Sequence, residues 1–306
     1  MPLILITTDY LSPGDEVDSY LTGLGFTTRH DPLRGPRRPE QLIAALTGAQ
    51  GALIANEPLT EQVLRAAPAL RAIVRTGVGY DSVDVPAATR LGISVSNLPG
   101  INSNAVAEYT IALLLNQARG LVPMAAGVAA GGWPRRDGSE LRGKTLGLIG
   151  RGAVAQRVAP LAEAFGMTVL STAQVSLEEL LRASDFVSIH TALTPHTRQL
   201  IDADALARMK PGAHLINTAR GPIVDEAALA AAVRSGHLAG AALDVVDVEP
   251  LPAGSVLRGV DGITVYSHMA GQTTEARRDA GLDGAKELVA ALAGNPGSSV
   301  TRESHP

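Results

Sequence analysis

The 306-residue chain carries 26 Lys and Arg against 30 Asp and Glu, a net charge of −4, so it lacks the basic stripe that nucleic acid requires. It has no cysteine, which excludes disulfides, thiolate catalysis and Cys-ligated zinc. Hydrophobic residues make up 45% and aromatics only 3%, so a large core is built from Ala, Val, Leu and Ile; at roughly 150 residues per domain the length suggests two domains.

The opening "MPLILITTDY" lacks a basic n-region and a cleavage site and reads as a first strand, not a signal peptide. Strand-like runs follow at "LILITT" (3–8), "GALIAN" (51–56), "AIVRTG" (72–77) and "GISVSN" (92–97), with helical stretches such as "PEQLIAAL" and "TEQVLRAA" between them. Nearly continuous apolar strands separated by helices imply a parallel sheet covered on both faces. Residues 104–130 form a long, almost uniformly apolar helical region, which must be covered by another domain or a second subunit. Within it "AVAEYTIALLLNQA" is interrupted by Glu108, Asn116 and Gln117, too short and polar to span a bilayer, so a soluble, cytoplasmic protein is expected. A second series, "TLGLIG" (145–150), "MTVLS" (167–171), "FVSIH" (186–190), "AHLINT" (213–218), "GAALDV" (240–245) and "ITVYSH" (263–268), makes a six-strand doubly wound sheet. The chain closes with a helix, "TTEARRDAGLDGAKELVAALAG", and a polar tail.

In "TLGLIGRGAVA", Gly150 and Gly152 stand at a strand end, with Ala155 where a third glycine is common. The first glycine permits a tight turn, and the second lets the backbone approach a pyrophosphate on the helix N-terminus. Such folds normally end their second strand in an Asp or Glu that holds the adenosine ribose. Here that strand ends in Ser171, Thr172, Ala173 and Gln174, with Ala173 at the expected position of the acid. Nothing there repels a 2′-phosphate; Ser171 and Thr172 could donate to it and Arg151 add a charge. The cofactor expected is therefore NAD or NADP.

Ligands of doubly wound sheets lie at the carboxyl ends of the strands. The polar residues there are His190, then Asn217, Thr218 and Arg220, then Asp244 with Glu249 close behind, and His268. Each alone has an ordinary structural explanation. Together they bring a fixed cation, a carboxylate and an imidazole to a nucleotide site, as hydride transfer coupled to proton transfer needs. No metal ligand set is expected.

"INTARGPIVDEAALAAAVRSGHLAGAALDVVDVEP" and "RTGVGYDSVDVPAATRLGISVSNLPGINSNAVAEYTIALLL" resemble the D-isomer-specific 2-hydroxyacid dehydrogenases, nearest to the phosphoglycerate dehydrogenase branch. The resemblance implies an α/β chain of two doubly wound parallel-sheet domains. A flavodoxin-like substrate domain (1–98, completed by a C-terminal helix, 270–306) would carry an inserted Rossmann nucleotide-binding domain (99–269). It implies catalysis by Arg220, Glu249 and His268, with Arg220 on the substrate carboxylate and carbonyl, His268 as acid/base and Glu249 as its partner. Cofactor contacts would come from Gly150, Arg151, Gly152, Ala153, Val154, Ser171, Thr172, His190, Thr191, Thr218, Ala219, His268, Gly271 and Asp244, the last facing the nicotinamide. Backbone N–H groups of Gly77, Val78 and Gly79 would hold the substrate carboxylate. Arg75 and Arg135, with the neighbouring Arg136, match positions where that branch places basic groups for a substrate phosphate, one reaching from a second subunit. A homodimer through the nucleotide-binding domain is implied, with a small 2-hydroxy or 2-keto acid as substrate, 3-phosphoglycerate being a candidate. Glyoxylate or hydroxypyruvate reduction is the neighbouring alternative. A non-catalytic dinucleotide sensor like the family's corepressors, which keep the triad, is an alternative of another class. Neither a regulatory domain after residue 306 nor serine feedback through one is expected. Three features depart from the family pattern: "SHMAGQ" around the histidine, Ala192 in "HTALT", and a segment from Leu170 to Ser184 with room for one helix where the family has a further loop or strand.

Overall fold

The structure is a computed structural model and describes residues 1–32 and 37–301. The chain forms two compact units, one from residues 1–102 and the segment from 272 on, the other from residues 103–271. The crossings thus fall at 102/103 and 271/272, a few residues beyond the positions expected from sequence.

In the first unit β1 (Leu3–Ile6), α1 (Glu16–Gly23), β2 (Thr27–His30), α2 (Pro39–Leu46), β3 (Ala49–Ile54), α3 (Glu61–Arg65), β4 (Ala72–Arg75), α4 (Val85–Arg90) and β5 (Ser94–Ser96) alternate. The strands are parallel in the order β2-β1-β3-β4-β5, the flavodoxin-like arrangement. Side chains alternate across it. Ile4, Ile6, Leu53 and Val74 pack with Leu288 and Val17, while Leu5, Ile54, Ile73 and Val95 pack with Leu42 and Val63. Each such fully buried Leu or Ile contributes about 1.5–3 kcal/mol of transfer free energy. Strand β2, "TTRH", is absent from the sequence-derived elements. It is an edge strand with no fully buried residue, so it lacks the apolar run that marks the others.

The second unit begins with α5 (Ser103–Arg119) and α6 (Leu121–Ala129), two helices where one long one is expected. Gly120 takes a left-handed φ of 63° and the axes bend by 67°. Helix α5 is buried along most of its length, whereas α6 buries none of its residues. Among the described residues no single helix is long and apolar enough to cross a membrane; α5 and α6 meet that criterion only as a bent pair.

There follow β6 (Thr145–Ile149), α7 (Ala153–Ala164), β7 (Thr168–Ser171), α8 (Leu177–Ala183), β8 (Phe186–Ile189), α9 (Ala203–Arg208), β9 (His214–Asn217), α10 (Glu226–Arg234), β10 (Gly240–Leu243) and β11 (Ile263–Val265). All six expected strands form and pair in parallel, in the order β11-β10-β9-β8-β6-β7. A Rossmann sheet carries one more strand outside its second. Here β7 is the edge, because only residues 172–176 separate it from α8. The order reverses between β6 and β8, which puts the ligand crevice at their carboxyl ends.

The last helix, α11 (Thr274–Leu292), returns to the first unit. The helix stops where the polar tail begins, and in that tail the Val300 N–H donates to the Val95 carbonyl beside β5 (2.8 Å). Residues 302–306 of that tail lie outside the described residues.

Candidate active site

In the second unit every strand runs the same way, so one edge of the sheet collects all the carboxyl ends. Gly150 leaves β6 with φ 118°, a conformation suited to glycine. A Cβ on it would overlap the His190 carbonyl at the end of β8. Its N–H donates to the Thr172 hydroxyl (3.0 Å), so Thr172 holds the glycine turn in place. Gly152 is the N-cap of the 12-residue α7 and has open space where a side chain would be. Arg151 and Ala153 are exposed and Val154 half-buried beside it. Ala155, in place of a third glycine, is buried against the sheet. These residues fit a dinucleotide: a turn too tight for a side chain, then helix N–H groups facing open space. His190 adds a buried Nδ1 with no hydrogen bond among the described residues, while its Nε2 contacts the Ser188 hydroxyl (2.9 Å). Burial pushes its pKa down to about 4, so it is neutral at pH 7. Thr191 follows it, half-buried.

At the end of β9 the buried Asn217 shapes the next loop, donating to the Arg220 carbonyl (2.9 Å) and accepting from the Ala219 N–H (3.0 Å). Thr218 lies 3.4 Å from the Thr110 hydroxyl of α5. Arg220 Nη1 donates to the Ala219 carbonyl (2.8 Å). Gly221 then packs directly on the Val246–Asp247 backbone, where any Cβ would overlap it. That close approach sets Arg220 near the loop that carries Glu249.

Glu249 and His268 are paired, Oε2 to Nδ1 at 2.8 Å. Burial pushes the Glu249 pKa up, but the His268 hydrogen bond and charge, the Val246 N–H and the Arg220 charge outweigh it and hold it below the usual range. Glu249 is therefore ionised at neutral pH. With Nδ1 on the carboxylate, Nε2 of His268 is the nitrogen available for proton exchange.

His268 itself has φ 58°, rare for a residue with a side chain, at a cost of about 1–3 kcal/mol. Asp244 secures it. The His268 N–H donates to the Asp244 carbonyl (2.8 Å), and the two carboxylate oxygens accept the N–H groups of Met269 and Ala270 (2.8 Å each). Asp244 is 1% exposed. The structure gives Asp244, expected from sequence to face the nicotinamide, a role in holding the histidine loop, since each of its oxygens accepts a backbone N–H. Gly271 ends the unit just beyond. Asp244→Asn leaves one of those N–H groups without an acceptor, a loss of about 1–3 kcal/mol. It is expected to lower kcat roughly tenfold while the NADH Kd changes little; a weaker Kd with unchanged kcat would put Asp244 back at the cofactor.

In the first unit Arg75 ends β4, and its Nη2 donates to the Asn56 side-chain oxygen. The guanidinium folds over Gly77, where a Cβ would overlap it. The Gly77 N–H is taken by the Arg75 carbonyl (2.7 Å), so Gly77 does not supply the donor expected of it. The N–H groups of Val78 and Gly79 make no hydrogen bond among the described residues, and the buried Asn97 anchors the loop through the Val78 carbonyl (2.6 Å).

Arg135 is exposed in the loop after α6. Its neighbour Arg136 lines a cavity of about 300 Å³ with Gln117, Lys144, Asp185 and His214. That cavity is at the amino ends of the strands, the opposite edge from His268. Within this unit, therefore, Arg136 is away from the triad. Among the described residues no three His, Asp or Glu side chains gather as a metal site.

Residues 111–270 match the family model "D-isomer specific 2-hydroxyacid dehydrogenase, NAD binding domain". The chain belongs to this family. It is 39% identical over 311 residues to a D-3-phosphoglycerate dehydrogenase of Mycobacterium leprae, a match covering 96% of this chain and 57% of that one. The chain thus spans less than two thirds of that relative's length. A glyoxylate reductase of Thermofilum pendens is 36% identical, with 90% of this chain and 85% of that one covered. The crystal structure of the TT0316 protein from Thermus thermophilus superposes with a TM-score of 0.87 at 37% identity, covering 97% and 99% of the two chains. The family's NAD-binding domain therefore contains the Gly150 turn, the Glu249–His268 pair and Asp244.

Proposed function

We propose that the chain is an NAD(P)-dependent oxidoreductase that interconverts a small D-2-hydroxy acid and its 2-keto acid. The observation that carries this is the Glu249–His268 pair, 2.8 Å apart, on the same sheet edge as the Gly150 turn. The nicotinamide, when bound, supplies or takes up the hydride. His268 Nε2 gives the substrate oxygen its proton in the reductive direction and removes it in the other. Glu249 orients the imidazole and stabilises its charged form. Arg220 neutralises the acid group and the charge that develops on the carbonyl oxygen. Val78 and Gly79 offer N–H groups to the carboxylate. The exposed apolar residues of α6 and its neighbour, Leu121, Val122, Val128 and Trp133 (81% exposed), support a homodimer through the nucleotide-binding unit, with Arg135 serving the second subunit.

The phosphoglycerate dehydrogenase relative favours a phosphorylated substrate, with Arg75 on the phosphate. The fold of Arg75 over Gly77 favours a second reading, in which Arg75 and the loop share one carboxylate and the substrate is glyoxylate or hydroxypyruvate. Arg75→Ala separates the two. If Arg75 binds phosphate, the substitution is expected to lower kcat/KM about 10–100-fold for phosphohydroxypyruvate and leave glyoxylate near wild type, since charged hydrogen bonds contribute about 1.5–3 kcal/mol. Equal losses on both acids would establish the shared-carboxylate reading.

A further inference from the structure

Strand β7 ends at Ser171, and Gln174 closes the turn that follows. The Gln174 N–H donates to the Ser171 carbonyl (2.9 Å). Its side-chain Oε1 accepts both the N–H (3.1 Å) and the hydroxyl (3.2 Å) of Ser171. Two donors on one oxygen assign the amide's orientation, so its Nε2 carries the two N–H donors away from Ser171. Thr172 already accepts the Gly150 N–H. Of the two hydroxyls to which the sequence assigns the phosphate, that of Ser171 is thus spent as a donor within the turn and that of Thr172 is fixed at the glycine turn, whereas the Gln174 amide is exposed.

We propose that Gln174 reads the 2′ position of the adenosine ribose and lets the chain bind NADP as well as NAD. This rests on the dehydrogenase reading above. An Asp or Glu at the end of this strand accepts from the ribose hydroxyls and repels a 2′-phosphate. A primary amide donates equally well to a hydroxyl or a phosphate oxygen, so the repulsive half of the discrimination is missing. No carboxylate lies in residues 171–177, and the exposed Arg151 of the glycine turn adds positive charge. The first acids beyond are Glu178, paired with Arg182 (2.8 Å), and Glu179 in the first turn of α8. With β7 at the sheet edge, no further strand among the described residues brings another acid to this turn.

The test is the Kd of NADH and of NADPH, by fluorescence titration of the full chain, for wild type and Gln174→Glu. Glutamate keeps an acceptor for Ser171, so the turn is retained while the charge changes. Wild type is expected to bind the two cofactors within about tenfold of each other, and Gln174→Glu to weaken NADPH by about tenfold or more relative to NADH. Ala173→Asp, which restores an acid one residue earlier, is expected to act in the same direction. A wild-type preference for NADH above about tenfold, or equal weakening of both cofactors by Gln174→Glu, overturns the proposal. Failure of wild type to bind either cofactor overturns the dehydrogenase reading, and this proposal with it.

Discussion

His268→Ala is expected to lower kcat by about 10²-fold or more, within the roughly 10²–10⁴ that a positioned acid–base group contributes. Nδ1 is held by Glu249, so the lost function is that of Nε2. The folded structure loses little beside it, because His268 is about one third exposed and pays for its left-handed backbone. Stopped-flow or steady-state oxidation of NADH at saturating keto acid checks this, and near-wild-type turnover would remove His268 from the chemistry. Glu249→Gln is the companion. Without the carboxylate the imidazole loses the acceptor that orients it, so kcat is expected to fall while the NADH Kd stays near wild type. The carboxylate itself is held below its usual range, first against burial, by His268, Val246 and Arg220. A depressed folded value means that its stabilising contribution is present above the ordinary carboxylate range and is lost as pH falls through the folded value. The wild-type pair is therefore intact across neutral pH and dissolves only in acid.

Arg220→Ala is expected to raise KM and lower kcat together, with kcat down about 10²–10³-fold, the effect typical of removing a donor aimed at developing negative charge. Arg220 is placed by backbone on both sides: Asn217 fixes its carbonyl and Gly221 seats its loop on residues 246–247. Replacing the side chain leaves that seating intact, so the loss reads the guanidinium and not a moved loop. Arg220→Lys keeps the charge without the bidentate geometry and is expected to recover only part of the rate. A change confined to KM would show that Arg220 binds ground state and transition state equally and adds nothing specific to the transition state.

Much of the two-sheet architecture was legible in the sequence because each buried strand is a continuous apolar run, and "TLGLIGRGAVA" joins such a run to a helix through glycines. Strand β2 was not legible, since "TTRH" sits at an edge with little buried surface. Nor was the break at Gly120, where a single left-handed residue divides an otherwise uniform apolar stretch. The polar residues at strand ends were found because parallel pairing sends them to one edge. What each touches was not, because it depends on contacts distant in sequence: Asp244 on residues 269–270, Gly221 on Val246, Asn56 on Arg75. Gln174 carried a signal that sequence reading passed over, a polar residue next to the vacant position of the acid.

The proposed reaction is the oxidation of NADH or NADPH by a 2-keto acid. The most direct measurement follows cofactor absorbance with glyoxylate, hydroxypyruvate, phosphohydroxypyruvate and pyruvate, and determines the configuration of the product. Turnover with at least one of these acids, giving the D-hydroxy acid, is the expected result. Tight cofactor binding with no turnover on any of them would contradict it and favour a dinucleotide sensor.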